Sequence, residues 1–183
     1  MKLFTNAILM LTVLAFTVSG CKKDDGPANY LQVGDTTIAL SDGNVKFYGS
    51  YSPTTYNFDL DFVSPEIVLS TDESGNPVYT GVGTRIYFET YTKESAAPAD
   101  GKYTYLDDGN YTEFTYDYSY YSFNYDWSGG SWTSTYIESG DLTVKKTSTG
   151  YIVDFKGTDV NGVAVKLHYK GALTYYDRSS AKK

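Results

Sequence analysis

The sequence predicts an all-β protein: one antiparallel β-sandwich or flattened β-barrel of about ten strands, behind an N-terminal signal peptide and a short tether. Three observations carry this expectation. Turn-forming groups recur about every eight to twelve residues from Asn29 onward. They stand at Gly34-Asp35, Asp42-Gly43-Asn44, Ser74-Gly75-Asn76, Asp100-Gly101, Asp108-Gly109-Asn110, Ser128-Gly129-Gly130, Gly140-Asp141 and Asn161-Gly162. Between them apolar and polar residues alternate at period two, as in a half-buried strand. Composition agrees, with 17% aromatic residues and 20 tyrosines, side chains that suit a pleated surface. No stretch repeats apolar positions at helical spacing between caps.

From the N-terminus, Met1-Lys2 is a short basic start, and Leu3 to Val18 is mostly apolar, interrupted at Thr5, Asn6, Thr12 and Thr17. That run is too short to span a bilayer comfortably, and small residues precede the expected cut, so residues 1–20 read as an export signal. Residues 21–28 form a charged tether and residues 29–183 the β domain. Within it, Tyr56, Phe58, Leu60 and Phe62 share one strand face, while Asn57, Asp59 and Asp61 take the other, expected to face solvent. Ile86 and Phe88 alternate with Arg85, Tyr87 and Glu89.

Tyr111 to Trp127 holds nine aromatics in seventeen residues. Phe114, Tyr116, Tyr118 and Tyr120 fall on even positions, whereas Tyr121, Phe123, Tyr125 and Trp127 fall on odd ones. A bulge or turn near Tyr120-Tyr121 would restore the register; otherwise both faces carry rings. The C-terminal part reads as a meander near Asp141–Lys146, Tyr151–Gly157, Gly162–Lys170 and Ala172–Tyr176, with Asn161-Gly162 suited to a type I′ hairpin.

The 163 residues after Gly20 suit one domain, large enough to bury roughly two thirds of its unfolded surface. Net charge is −7, and loss of Lys2 with the signal leaves 14 basic against 22 acidic residues, or −8. This dispersed acidic balance argues against a nucleic-acid partner and against direct adhesion to anionic headgroups. Cys21 is the only cysteine, which excludes an intramolecular disulfide and a cysteine metal cluster. No cofactor is expected.

Val18-Ser19-Gly20-Cys21 resembles the bacterial lipobox: an aliphatic position, two small residues, then the cysteine that receives diacylglycerol. Lys22-Lys23-Asp24-Asp25, followed by Gly26-Pro27, resembles the charged export signal of surface-exposed lipoproteins of the Bacteroidota. The C-terminal run Tyr169-Lys170-Gly171-Ala172-Leu173-Thr174-Tyr175-Tyr176-Asp177 is loosely similar to the same group of uncharacterised proteins. The resemblance implies a membrane partner through a lipid, palmitate included, on Cys21, and a place on the outer membrane facing the cell exterior. Several acyl chains, each CH₂ contributing about 0.8 kcal/mol on burial, would make that attachment durable.

Chemistry-bearing groups are sparse. His168 is the only histidine and stands between Lys166 and Lys170, with no free cysteine and no Gly-x-Ser-x-Gly elbow to pair with it. Asp59 and Asp61 are i and i+2 on one strand, about 6.5–7 Å apart, but catalytic carboxylates usually come from different strands with opposed environments. Asp72–Asn76 and Asp107–Asn110 are oxygen-rich loops without EF-hand spacing, and ordinary turns need the same residues. No metal site is expected.

The aromatic run remains as a binding feature, with Tyr116, Tyr118, Tyr121, Tyr125 and Trp127 as candidates to stack on a ligand; a cross-strand aromatic ladder is the competing role. Function is therefore expected to be non-catalytic binding of a glycan, a small ligand or an envelope partner. A structural subunit of an outer-membrane complex ranks second, and a hydrolase acting on carbohydrate or peptide ranks third.

Overall fold

The structure is a computed structural model that describes residues 28–180; Cys21 and Lys22 to Asp25 lie outside the described residues. Every regular element in it is a strand. The chain runs through β1 (Tyr30–Val33), β2 (Thr36–Ala39), β3 (Asp42–Ser52), β4 (Thr55–Val63), β5 (Val68–Thr71), β6 (Pro77–Thr80) and β7 (Gly83–Thr92). It continues through β8 (Gly101–Tyr105), β9 (Thr115–Tyr125), β10 (Thr135–Thr147), β11 (Gly150–Asp159), β12 (Ala164–Gly171) and β13 (Thr174–Asp177). Eleven strands join one sheet in the order β13-β3-β4-β7-β9-β8-β10-β11-β12-β1-β2, while β5 and β6 stand apart as a hairpin. The all-β class read from the turn rhythm is the class of the fold.

The sheet curls so that its inner face meets itself. Phe58, Leu60 and Phe62 of β4, Ile86 and Phe88 of β7, Val153 and Phe155 of β11 and Leu167 and Tyr169 of β12 belong to one buried cluster. Ring centroids of Phe88 and Phe155 lie 5.1 Å apart, and those of Phe62 and Tyr169 4.8 Å apart, so the two limbs of the sheet touch. Each fully buried side chain of this size contributes about 1.5–3 kcal/mol relative to exposure. Period-two alternation thus works as expected on the inward face.

The expectation of antiparallel pairing throughout requires correction. β8 runs parallel to β9, and β13 runs parallel to β3. Neither is a hairpin partner: β13 follows a crossing at Gly171-Ala172-Leu173 that carries the chain to the β3 edge. Leu173 packs there over Gly43, where a Cβ would lie 2.6 Å from Leu173 Cδ2. Asp42-Gly43-Asn44 and Gly140-Asp141, both expected at turns, accordingly lie inside β3 and β10. Asn161-Gly162 does close a hairpin, but not as type I′. Gly162 N–H donates to Asp159 O at 2.9 Å and Gly162 alone of the pair has positive φ (75°), so a turn over Val160-Asn161 is followed by a left-handed glycine.

The outer face of β4 is the larger departure. Asn57, Asp59 and Asp61, expected in solvent, are 4%, 3% and 0% exposed. The β5–β6 hairpin folds over the end of this face, where Val63, Ile67, Tyr79 and Tyr125 form a second apolar cluster with Leu69 against it. Tyr79 of this hairpin covers Asp61, while Asn57 and Asp59 are hydrogen-bonded to residues of β7.

Candidate binding cleft

Strand pairing arranges the outer face of β3, β4, β7 and β9 in rows. Lys46 stands opposite Asp59, Asp59 opposite Glu89 and Glu89 opposite Asp117. One row on, Asn44, Asp61, Tyr87 and Tyr120 follow each other across the same strands. Directly opposed side chains lie close enough to interact, so each row is a line of contacts rather than a list of neighbours.

Two bulges in β9 decide which rings join this face. The register of β7 against β9 shifts between Tyr87 and Glu89 and again between Gly83 and Arg85, each time giving β9 one extra residue. The first shift falls at Tyr118-Ser119, where Tyr118 has φ 31°, a few residues before the expected position. The shifts put Tyr120 opposite Tyr87 and Tyr125 opposite Gly83, both on the outer face, while Tyr116 and Tyr121 stay inside.

At the centre, Asp61 is fully buried. Lys46 Nζ donates to its Oδ2 at 2.5 Å, and Arg85 pairs with its Oδ1. Tyr79 O–H donates to Oδ2 at 3.2 Å and itself accepts from Asn44 Nδ2 at 2.9 Å. Burial alone would raise the Asp61 pKa, but the Arg85 and Lys46 charges override it and hold the carboxyl below its usual range. Arg85 also donates through Nη1 to the Tyr120 hydroxyl at 2.5 Å. Its guanidinium lies 4.8–5.6 Å from the ring centroids of Tyr125, Tyr87, Tyr120 and Tyr79. This cage is filled by the protein's own cation, which excludes a ligand ammonium from it.

Above this floor lies a cleft of about 290 Å³. Lys46, Tyr48, Asp59, Tyr79, Arg85 and Tyr87 contribute to it, with Tyr118, Tyr120, Tyr125, Trp127, Pro77 and Arg178 around them. Burial raises the Tyr87 pKa, and the Asp59 carboxylate beside it, hydrogen-bonded to that phenol, raises it further. Burial likewise pushes Tyr48 up to about 12, with Asp59 adding to the effect. Burial also raises Tyr125, partly opposed by Arg85. The phenols therefore keep their protons near neutrality and can donate hydrogen bonds.

The five aromatic candidates separate. Tyr118 (55% exposed) and Trp127 (50%) stand in the cleft, and Tyr125 forms its buried wall. Tyr116 and Tyr121 are core residues: their hydroxyls donate to Gly140 O at 3.1 Å and to Asp159 Oδ2 at 2.8 Å, so neither can meet a ligand. Lys46, Tyr79, Arg85, Tyr87, Tyr120 and Arg178 were not singled out from sequence. Arg85 and Tyr87 sit at outward positions of a strand whose alternation was clear; Tyr79 lies in a hairpin whose docking no local pattern announces.

The remaining groups lie elsewhere. His168 Nδ1 is 2.6 Å from Asp154 Oδ1, on β12 and β11. Asp72 spends its carboxylate on Ser74 N, Asn76 N and Asn76 Nδ2, closing the β5–β6 turn. Among the described residues no three carboxylate, histidine or cysteine side chains gather as metal ligands, and no helix is long and apolar enough to cross a membrane. No known protein family, curated protein sequence or solved structure is significantly similar to the chain.

Proposed function

We propose that this chain is a lipid-anchored protein of the outer membrane, facing the cell exterior, whose cleft binds glycan without catalysis. The observation that carries the binding is the pairing of exposed rings with a polar floor: Trp127 and Tyr118 beside Lys46, Asp59 and the tyrosine hydroxyls. A pyranose presents an apolar C–H face and a rim of hydroxyls, so a site for it needs a ring to stack on and fixed donors and acceptors around it. The non-catalytic reading is supported by Asp61, whose oxygens are held by Lys46, Arg85 and Tyr79, so that it has no proton to give and no free lone pair facing the cleft. The anchor reading is supported by Val18-Ser19-Gly20-Cys21 and the Lys22, Lys23, Asp24, Asp25 run.

Two measurements test the two halves. On an array of neutral glycans the wild type binds, and Trp127→Ala weakens binding by about tenfold or more, the loss of one aromatic anchor. Undiminished binding by that variant removes the cleft from the proposal. In cells fed a labelled fatty acid, the chain takes up label and Cys21→Ala does not; label on the variant overturns the anchor.

A further inference from the structure

The cleft does not end at its own walls. Tyr118 also lines a neighbouring depression of about 270 Å³, together with Tyr136, Asp107, Asp117 and Glu138. Tyr118 and Tyr136 are 55% and 41% exposed, with ring centroids 5.6 Å apart. At the other end Trp127 stacks on Trp132, centroids 5.8 Å apart and planes 16° from parallel. Trp132 is 41% exposed and lines a third depression, of about 250 Å³. With its two bulges, the stretch of β9 from Tyr118 to Tyr125 runs alongside about five residues of β7, which the usual strand rise converts to roughly 17 Å. Exposed rings thus stand at both ends of a surface longer than one sugar ring, with hydrogen-bonding groups between them.

From this arrangement we infer that the cleft holds an inner segment of an extended, uncharged glycan chain, not a single sugar. The inference rests on the glycan reading above and adds length and charge to it. A monosaccharide would leave one ring pair without a partner wherever it sat. The charge follows from the floor and the flank. Lys46 and Arg85 both pair with Asp61 and have Asp59 beside them, so Arg178 leaves the cleft one net positive charge, which the three carboxylates beyond Tyr118 outnumber. Asp107, Asp117 and Glu138 then repel a polyanion along the path beyond Tyr118, on a protein whose net charge is −7. A protein partner fits less well, since interface centres are depleted of charged residues and this one is built over four.

The test is isothermal titration of the purified protein with gluco-, xylo- and manno-oligosaccharides of graded length, from monosaccharide to hexasaccharide, with oligogalacturonate as the anionic control. The expected result, for at least one neutral series, is affinity rising about tenfold or more with length before levelling, with the anionic series weaker. Tyr136→Ala, which alters the flanking depression and no residue lining the cleft, is expected to lower affinity for the long oligomers about tenfold and leave that for the disaccharide unchanged. Trp127→Ala weakens both. Matched thermal melts of wild type and variants establish that the fold is intact. Three results overturn the inference alone: a monosaccharide bound as tightly as the hexasaccharide, the anionic series bound more tightly than every neutral one, or Tyr136→Ala indistinguishable from wild type on the long oligomers. Binding that ignores Trp127, or no binding to any glycan, overturns the function proposed above as well.

Discussion

Tyr125 is fully buried, and its hydroxyl meets no hydrogen-bond partner among the described residues. A buried donor left unpaired costs about 1–3 kcal/mol, so the residue holds a polar group at the back of the cleft at the expense of stability. Phenylalanine would keep the ring contacts with Tyr79, Trp127 and Trp132 and remove the orphan. Tyr125→Phe should therefore leave the protein unchanged or up to about 1 kcal/mol more stable. Urea unfolding of the variant measures this; a clear loss of stability would mean the hydroxyl has a partner inside the fold.

Among the elements, β10 and β11 show how a sheet turns a corner. Their register shifts between Ile137 and Ser139, and Gly140 there has φ 132°. Opposite it, a Cβ on Gly157 would lie 1.9 Å from Ser139 O, a backbone atom that cannot step aside. Glycine at both positions is what lets the strands approach at the bulge. Gly157→Ala should cost about 1–3 kcal/mol or more, as overpacking does, seen as a lower urea midpoint with an unchanged slope. Full stability in that variant would show that the strands separate easily there. The same local logic governs β9, where two bulges allot Tyr116 and Tyr121 to the core and Tyr120 and Tyr125 to the cleft. The sequence made the conflict of parity visible in Tyr111–Trp127. It placed the break a few residues late, because a bulge is fixed by the partner strand, here Tyr87 to Glu89, which sits far away in the chain.

At the scale of the whole molecule, one buried ionic centre ties three strands together through Lys46, Asp61 and Arg85. Asp61 has its pKa lowered in the folded state, so its contribution is complete above the unfolded carboxylate value near 3.9 and is lost as pH falls through the folded one. Unfolding free energy should thus drop steeply below about pH 4. Asp61→Asn leaves Lys46 and Arg85 buried without their counter-charge and should cost about 3–5 kcal/mol at neutral pH. The variant should also lose much of the acid dependence. Urea titrations at neutral and acid pH check this, and equal acid sensitivity in the two proteins would move the effect to other carboxylates. The sheet's two edge strands, β13 and β2, are four residues each, short edges of the kind that limit strand addition.

By itself, the sequence determined the all-β class, the inward face of the main strands and the aromatic run, because period-two alternation and turn residues act over a few neighbouring positions. It also carries the anchor expectation, which depends only on the four residues ending at Cys21 and the charged run behind them. Only the tertiary structure decided that Asp59 and Asp61 are interior, that Tyr79 of the β5–β6 hairpin closes over Asp61, and that Lys46, Tyr79 and Arg85 converge with three aromatic candidates on one cleft. Those residues lie on different strands, and their meeting depends on sheet order, bulges and a docked insertion. A strand's alternation states which side chains share a face; what covers that face is settled by segments far along the chain.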